Sequence, residues 1–241
     1  MNEIKAILFD KDGTLLDFNR TWLEPYWRAA RYLQARFGAR ADADALLARG
    51  GFIAKSQSWK PDSTLASGSN DEIIALWESI IGEPLRHHRR AIDDILTLPR
   101  NAYAPAVDDL GRLLASLRRR GLKLGLATMD RERSAHDMLR ALRADAFFDF
   151  VCGDDSGHGV KPQPGMALAF CRACGVRAQQ MMMVGDSPRD MQMGRSAGAA
   201  LNVGVLTGAH GAADLAPCAD AVLASIAELD ALLDDRGGRG S

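Results

Sequence analysis

IKAILFDKDGT, residues Ile4 to Thr14, decides how this chain is read. Six residues rich in β formers, Ile4 to Phe9, run straight into two carboxylates and a glycine. A strand that ends in Asp10-Lys11-Asp12-Gly13-Thr14 places polar chemistry beyond its carboxyl end, which is where open α/β sheets bind ligands. Working outward, apolar runs recur at Leu122–Ala127, Phe148–Cys152, Met181–Val184 and Leu201–Leu206. Helical patterns separate them at Ala106–Arg120, Arg133–Leu142, Met166–Cys174 and Pro188–Ala197. This alternation predicts an α/β fold, a Rossmann-like doubly wound parallel sheet covered on both faces. Methionine is a weak strand former, so the MMMV run rests on its place in the alternation.

Between Asp17 and Leu98 the rhythm breaks. TWLEPYWRAARYLQARFG (21–38), NDEIIALWESIIG (70–82) and RHHRRAIDDIL (86–96) read as helices, and the stretch from Gly50 to Ser69 reads as a long loop. The expectation is an all-helical insert over residues 17–98 in an α/β core of residues 1–16 and 99–241. DDRGGRGS (234–241) reads as an unstructured tail.

Composition removes several classes of function. Thirty-one acidic residues against 30 basic ones give no field that favours nucleic acid or membrane. No apolar run approaches a membrane span and the first residues enter a strand, so a cytoplasmic protein is expected. The basic clusters Arg86–Arg90 and Arg118–Arg120 read as solvated helix faces. Four cysteines (Cys152, Cys171, Cys174, Cys218) make no disulfide framework in a chain of 241 residues, and Cys171-x-x-Cys174 sits in a helical pattern without a second pair.

Four separated signals carry chemistry, and their order along the chain matters more than any one. Asp10 and Asp12 can face one site across the turn that Gly13 permits. Thr128 closes the strand LKLGLA with a hydroxyl that can donate to a phosphoryl oxygen or cap a helix. Lys161 precedes Pro162, which biases it toward extended backbone. Asp186 follows MMMV, where a strand-end carboxylate can bind a hard cation. Asp190, with Ser187 and Pro188, also resembles a capping box.

Together these residues resemble the four motifs of the haloacid dehalogenase superfamily, across Ile4 to about Leu206. The pattern is most similar to the phosphoglycolate phosphatase-like branch, whose helical cap lies between the first two motifs. The resemblance implies a magnesium-dependent phosphatase acting on a small phosphorylated metabolite, as monomer or homodimer. Asp10 would be the nucleophile, Asp12 the acid and base, and Thr128 and Lys161 the phosphoryl holders. Asp10, the Asp12 carbonyl and Asp186 would hold Mg2+, with Asp190 acting through Lys161 or a metal-bound water. In that family the second-motif threonine is often followed by asparagine, and here Met129 follows instead. Arg20, Lys55 and Lys60 are the candidate cap contacts to substrate. A sugar-phosphate mutase shares the same residues, and a noncatalytic phosphometabolite-binding protein is the alternative outside enzymes. Retention of Asp12 and Asp186 argues against a dehalogenase.

Overall fold

The computed structural model describes residues 3–97 and 102–238. In order, the chain runs β1 (Ala6–Phe9), α1 (Phe18–Phe37), α2 (Ala43–Arg49), β2 (Phe52–Ile53), β3 (Ser58–Trp59), α3 (Thr64–Ser67), α4 (Asn70–Ile81) and α5 (Arg89–Leu96). It continues with α6 (Leu110–Arg119), β4 (Lys123–Ala127), α7 (Glu132–Ala141), β5 (Phe150–Cys152), α8 (Gly165–Cys174), β6 (Met181–Gly185), α9 (Pro188–Ala197), β7 (Leu201–Val205), α10 (Ala212–Leu215), β8 (Ala221–Leu223) and α11 (Leu229–Gly238). Two compact units result: Met1–Phe18 with Ala104–Ser241, and Asn19–Tyr103.

The first unit is built on a six-stranded sheet in the order β5-β4-β1-β6-β7-β8, parallel throughout. Every residue of β1 is fully buried, because helices cover a parallel sheet on both faces and its inner strands need continuous apolar sequence. Met181, Met182 and Met183 are buried as completely. The unbranched side chains of Met181 and Met183 share one core cluster with Phe170, Met166 and Met193, and this packing outweighs weak strand propensity. Strand order reverses at β1, between β4 and β6. The carboxyl ends of these three strands therefore frame the switch-point crevice in which such sheets bind ligands.

The structure adds elements after Leu206 that the sequence signals did not reach. β8 is a three-residue edge strand, too short for periodicity to reveal. The expected tail is helical as far as Gly238, and residues 239–241 lie outside the described part. Arg120 donates to Asp230 at 2.9 Å and Asp234 at 2.7 Å, linking the end of α6 to α11. Arg118 pairs with Asp149. These arginines stand partly exposed at the C-terminal end of α6, where they are engaged in surface ion pairs.

The second unit is mostly helical. A Ser69–Glu72 capping box starts α4, and Gly82 in the left-handed region ends it. Two features differ from expectation. Helix α2 was hidden in the run before Gly50, and the stretch read as loop carries helix α3 and a two-residue antiparallel ribbon, with Phe52 opposite Trp59, so the insert is not all-helical. So short a ribbon holds because its aromatic pair is buried: the Phe52 and Trp59 rings sit 5.1 Å apart, and Tyr26 meets Trp59 at 5.6 Å.

Candidate active site

Asp10 leaves β1 buried, with its backbone N–H donating to Val184 O at 2.9 Å, so strand pairing continues into the site. Gly13 then turns the chain at φ +80°. Space requires glycine there as well, since a Cβ would lie 2.5 Å from Asp186 Oδ2. Asp186 follows β6, and Gly208, after β7, crowds it from another side: a Cβ there would fall 1.7 Å from the same oxygen. Ala209 N–H donates to Asp186 Oδ2 at 3.3 Å. Two side-chain-free positions and one amide thus fix this carboxylate.

Asp190 closes the capping box that its sequence context offered and also pairs with Lys161. Its Oδ2 accepts Ser187 Oγ–H at 2.6 Å and Ser187 N–H at 3.2 Å, closing the capping box at the start of α9. Its Oδ1 lies 2.6 Å from Lys161 Nζ. The same ammonium pairs with Asp10 Oδ1. Gly185 allows the approach, because a Cβ there would stand 2.4 Å from Asp190 Cγ.

Thr128 is buried at the end of β4, with its N–H on Cys152 O at 3.1 Å. Asp130 N–H donates to Thr128 Oγ1 at 3.1 Å. The hydroxyl is an acceptor in that bond, which leaves its own hydrogen to donate elsewhere. Asp12 is half-buried and lies 3.0 Å from the ammonium of Lys11, which in turn meets Asp130 at 2.7 Å. Lys11, Asp130 and the Gly208–Ala209 amide segment belong to this neighbourhood and were not singled out from sequence. A lysine between two aspartates and an aspartate after TM carry no pattern that sets them apart from surface residues. Of the candidate substrate contacts, Met129 is half-buried beside Thr128. Arg20 and Lys55 belong to the other unit, exposed in the first turn of α1 and in the ribbon turn, and Lys60 is exposed beyond β3.

Electrostatics set the character of the cluster. One ligand oxygen from each of Asp10, Asp186 and Asp190 lies within 4.8 Å of the others, the one such group among the described residues. Burial pushes the Asp10 carboxyl up to about 7; Lys161 opposes this, and Asp190 and Asp12 reinforce it. Asp186 is raised well above the carboxylate range by burial, then by repulsion from Asp10 and Asp190. Burial alone disfavours the Lys161 ammonium, but Asp10 and Asp190 override it and the net shift is upward. Three crowded carboxylates against one ammonium leave a deficit of positive charge, and the donors are all oxygen. That set fits a hard divalent cation.

A doubly wound parallel sheet with lysine-bridged carboxylates at its switch point defines the class: a Rossmann-like α/β core with a buried acidic centre. The model of the haloacid dehalogenase-like hydrolases matches residues 4–198, and the chain belongs to that family. It is 27% identical over 208 residues to the phosphoglycolate phosphatase of Escherichia coli (strain K12), covering 81% of this chain and 79% of that one. It is 26% identical over 198 residues to the pyrophosphatase PpaX of Halalkalibacterium halodurans, covering 81% of each. Among solved structures, a Thermotoga maritima protein provisionally named beta-phosphoglucomutase matches with a TM-score of 0.73 at 20% identity, over 96% of this chain and 99% of that one. A HAD family hydrolase of Deinococcus radiodurans, solved with phosphate and sodium, matches at 0.71 and 20% identity over 97% and 96%. These structural likenesses bear on the fold.

Proposed function

We propose that the chain is a magnesium-dependent phosphomonoester hydrolase, phosphoglycolate phosphatase-like, that cleaves a small phosphorylated metabolite through an aspartyl phosphate on Asp10. The observation that supports this best is the buried Asp10 carboxylate, bridged by Lys161 beside Asp186 and Asp190 at the switch point. Asp10 attacks phosphorus; a bond from its carboxylate oxygen to phosphorus forms as the bond to the leaving oxygen breaks. Asp12 protonates that leaving oxygen and then takes a proton from the water that hydrolyses the acyl phosphate, releasing phosphate and restoring both carboxyls. Lys161 and Thr128 hold the phosphoryl oxygens as charge builds, and Asp190 orients Lys161. Magnesium, held by Asp10, Asp186 and the Asp12 carbonyl, would supply positive charge to the phosphoryl group and offset its repulsion from the carboxylates.

The test is turnover of a panel of small phosphomonoesters, phosphoglycolate and hexose phosphates included, with and without EDTA. Activity is expected to vanish on chelation and return with magnesium, and full turnover in metal-free buffer contradicts the reading. Residues 17–98 are proposed as a cap that selects among substrates. Arg20→Ala and Lys55→Ala are then expected to change ratios among natural substrates while sparing a generic aryl phosphate; unchanged ratios move selection to the core, Met129 first.

Gly208→Ala probes the cation site separately from chemistry. Its Cβ must displace the Asp186 carboxylate, so magnesium affinity is expected to fall about tenfold or more, read by calorimetric titration. Unchanged affinity removes Asp186 from the ligand set.

A further inference from the structure

Lys11 is the one residue between the two aspartates of the first motif, and its ammonium is buried, with its side chain 1% exposed. It donates to Asp130 Oδ2 at 2.7 Å and lies 3.0 Å from Asp12 Oδ2. Asp130 is anchored from several directions. Ser134 Oγ–H donates to its Oδ2 at 2.5 Å and Arg131 N–H to its Oδ1 at 2.7 Å, while Asp154 N–H donates to its carbonyl at 3.0 Å. Both carboxylates are half-buried, Asp12 with 24% and Asp130 with 34% of its side chain exposed. Stability alone gives little reason for this arrangement, because replacing a buried ion pair by apolar groups of similar volume is often neutral or stabilising. A reason appears when the ammonium's second partner is considered.

We propose that the Lys11–Asp130 pair positions the Asp12 carboxyl. Asp130 fixes the ammonium, and the ammonium fixes Asp12 Oδ2. An ammonium has no acceptor, so the oxygen it engages is the one that accepts, and the transferable proton belongs on Oδ1. Lys11 and Asp130 are therefore positioning residues, acting on the leaving-group oxygen through Asp12. The inference rests on the acid–base role of Asp12 proposed above. Since Asp130 N–H also holds Thr128 Oγ1, one anchored residue sets both the acid and a phosphoryl-holding hydroxyl.

The experiment measures kcat/KM over phosphomonoesters whose leaving groups run from p-nitrophenol to aliphatic alcohols, with saturating magnesium. An aryl oxide departs without much help from an acid, whereas an alkoxide needs its proton. Lys11→Met is expected to lower alkyl phosphate turnover by about 30-fold or more, the scale on which misplacing a catalytic group acts, with a much smaller loss on p-nitrophenyl phosphate. Because Lys11→Met leaves the half-buried Asp130 without its cation, the neutral pair Lys11→Met/Asp130→Asn is measured beside it. That double variant removes the uncompensated charge and must show the same leaving-group selectivity. Equal losses across the series, or none, in the folded double variant overturn the proposal. Asp12→Asn separates the two readings. If it is not selective for poor leaving groups, the acid assignment fails and the positioning role with it. If it is selective and the Lys11 variants are not, the positioning role alone fails.

Discussion

Asp10→Asn is expected to lower turnover by about 10⁵-fold or more while the chain keeps its fold. The size follows from the proposed chemistry. An amide is a poor nucleophile toward phosphorus, and Asp12, the second carboxylate after β1, does not replace it because Lys11 Nζ engages it at 3.0 Å. Neither Asp186 nor Asp190 substitutes: Asp186 is held by Ala209 N–H between two glycines, and Asp190 is committed to Ser187 and Lys161. The fold is spared because the substitution keeps shape and removes one of three crowded negative charges. Lys161 retains Asp190 at 2.6 Å. Circular dichroism should therefore show a metal-free melting temperature equal to or above that of the unaltered chain. A folded Asp10→Asn variant with substantial activity contradicts the covalent mechanism.

The second large effect is on stability. In EDTA, the protein is expected to become less stable as pH rises from about 4 through 7, and magnesium should remove most of that loss. Burial raises the Asp10 carboxyl from 3.8 to about 7, so within this window the folded chain holds a proton that the unfolded chain has released. Stability falls with pH wherever the folded state binds more protons, by about 1.4 kcal/mol per pH unit for one group. For Asp10 the total is on the order of a few kcal/mol, fully lost above about 7 and absent as a penalty below 3.8. Asp186, raised for the same reason, adds in the same direction. The carboxyls held low by partners, Asp130 and Asp149, gain their stability below 3.8 and do not offset the slope. Calorimetry at pH 5 and pH 8, with EDTA and with magnesium, checks this. Metal-free stability that rises across the window would show that the carboxylates are compensated by something other than a cation.

The sheet was legible because its determinants are local. A central parallel strand must be apolar throughout, and Ala6–Phe9 and Met181–Val184 are; the helix from Pro188 carries its own cap and first-turn proline. Asp10 and Asp186 were legible because each directly follows a central strand, whereas Lys161, in the loop after β5, and Asp190, inside α9, were grouped with them by the resemblance. What stayed hidden depends on contacts between distant residues. Lys11 looks like any turn lysine until Asp130, 119 residues away, is placed beside it. The demand for glycine at 208 exists only because Asp186 approaches from another strand end. The ribbon at Phe52 and Trp59 has too few residues for a periodic signal and is held by ring packing. Helix α11, poor in apolar contrast and ending in glycines, is tied by its aspartates to Arg120.

The most direct test of the central claim is chemical capture of the intermediate. An acyl phosphate on an aspartate is reduced by borohydride to an alcohol, which converts that residue to homoserine. The protein is mixed with phosphomonoester and magnesium, quenched with borohydride during turnover, digested and sequenced by mass spectrometry. Homoserine at position 10, dependent on both substrate and magnesium, is the predicted result. Steady phosphate release with an unmodified Asp10, or with homoserine at another aspartate, would contradict it.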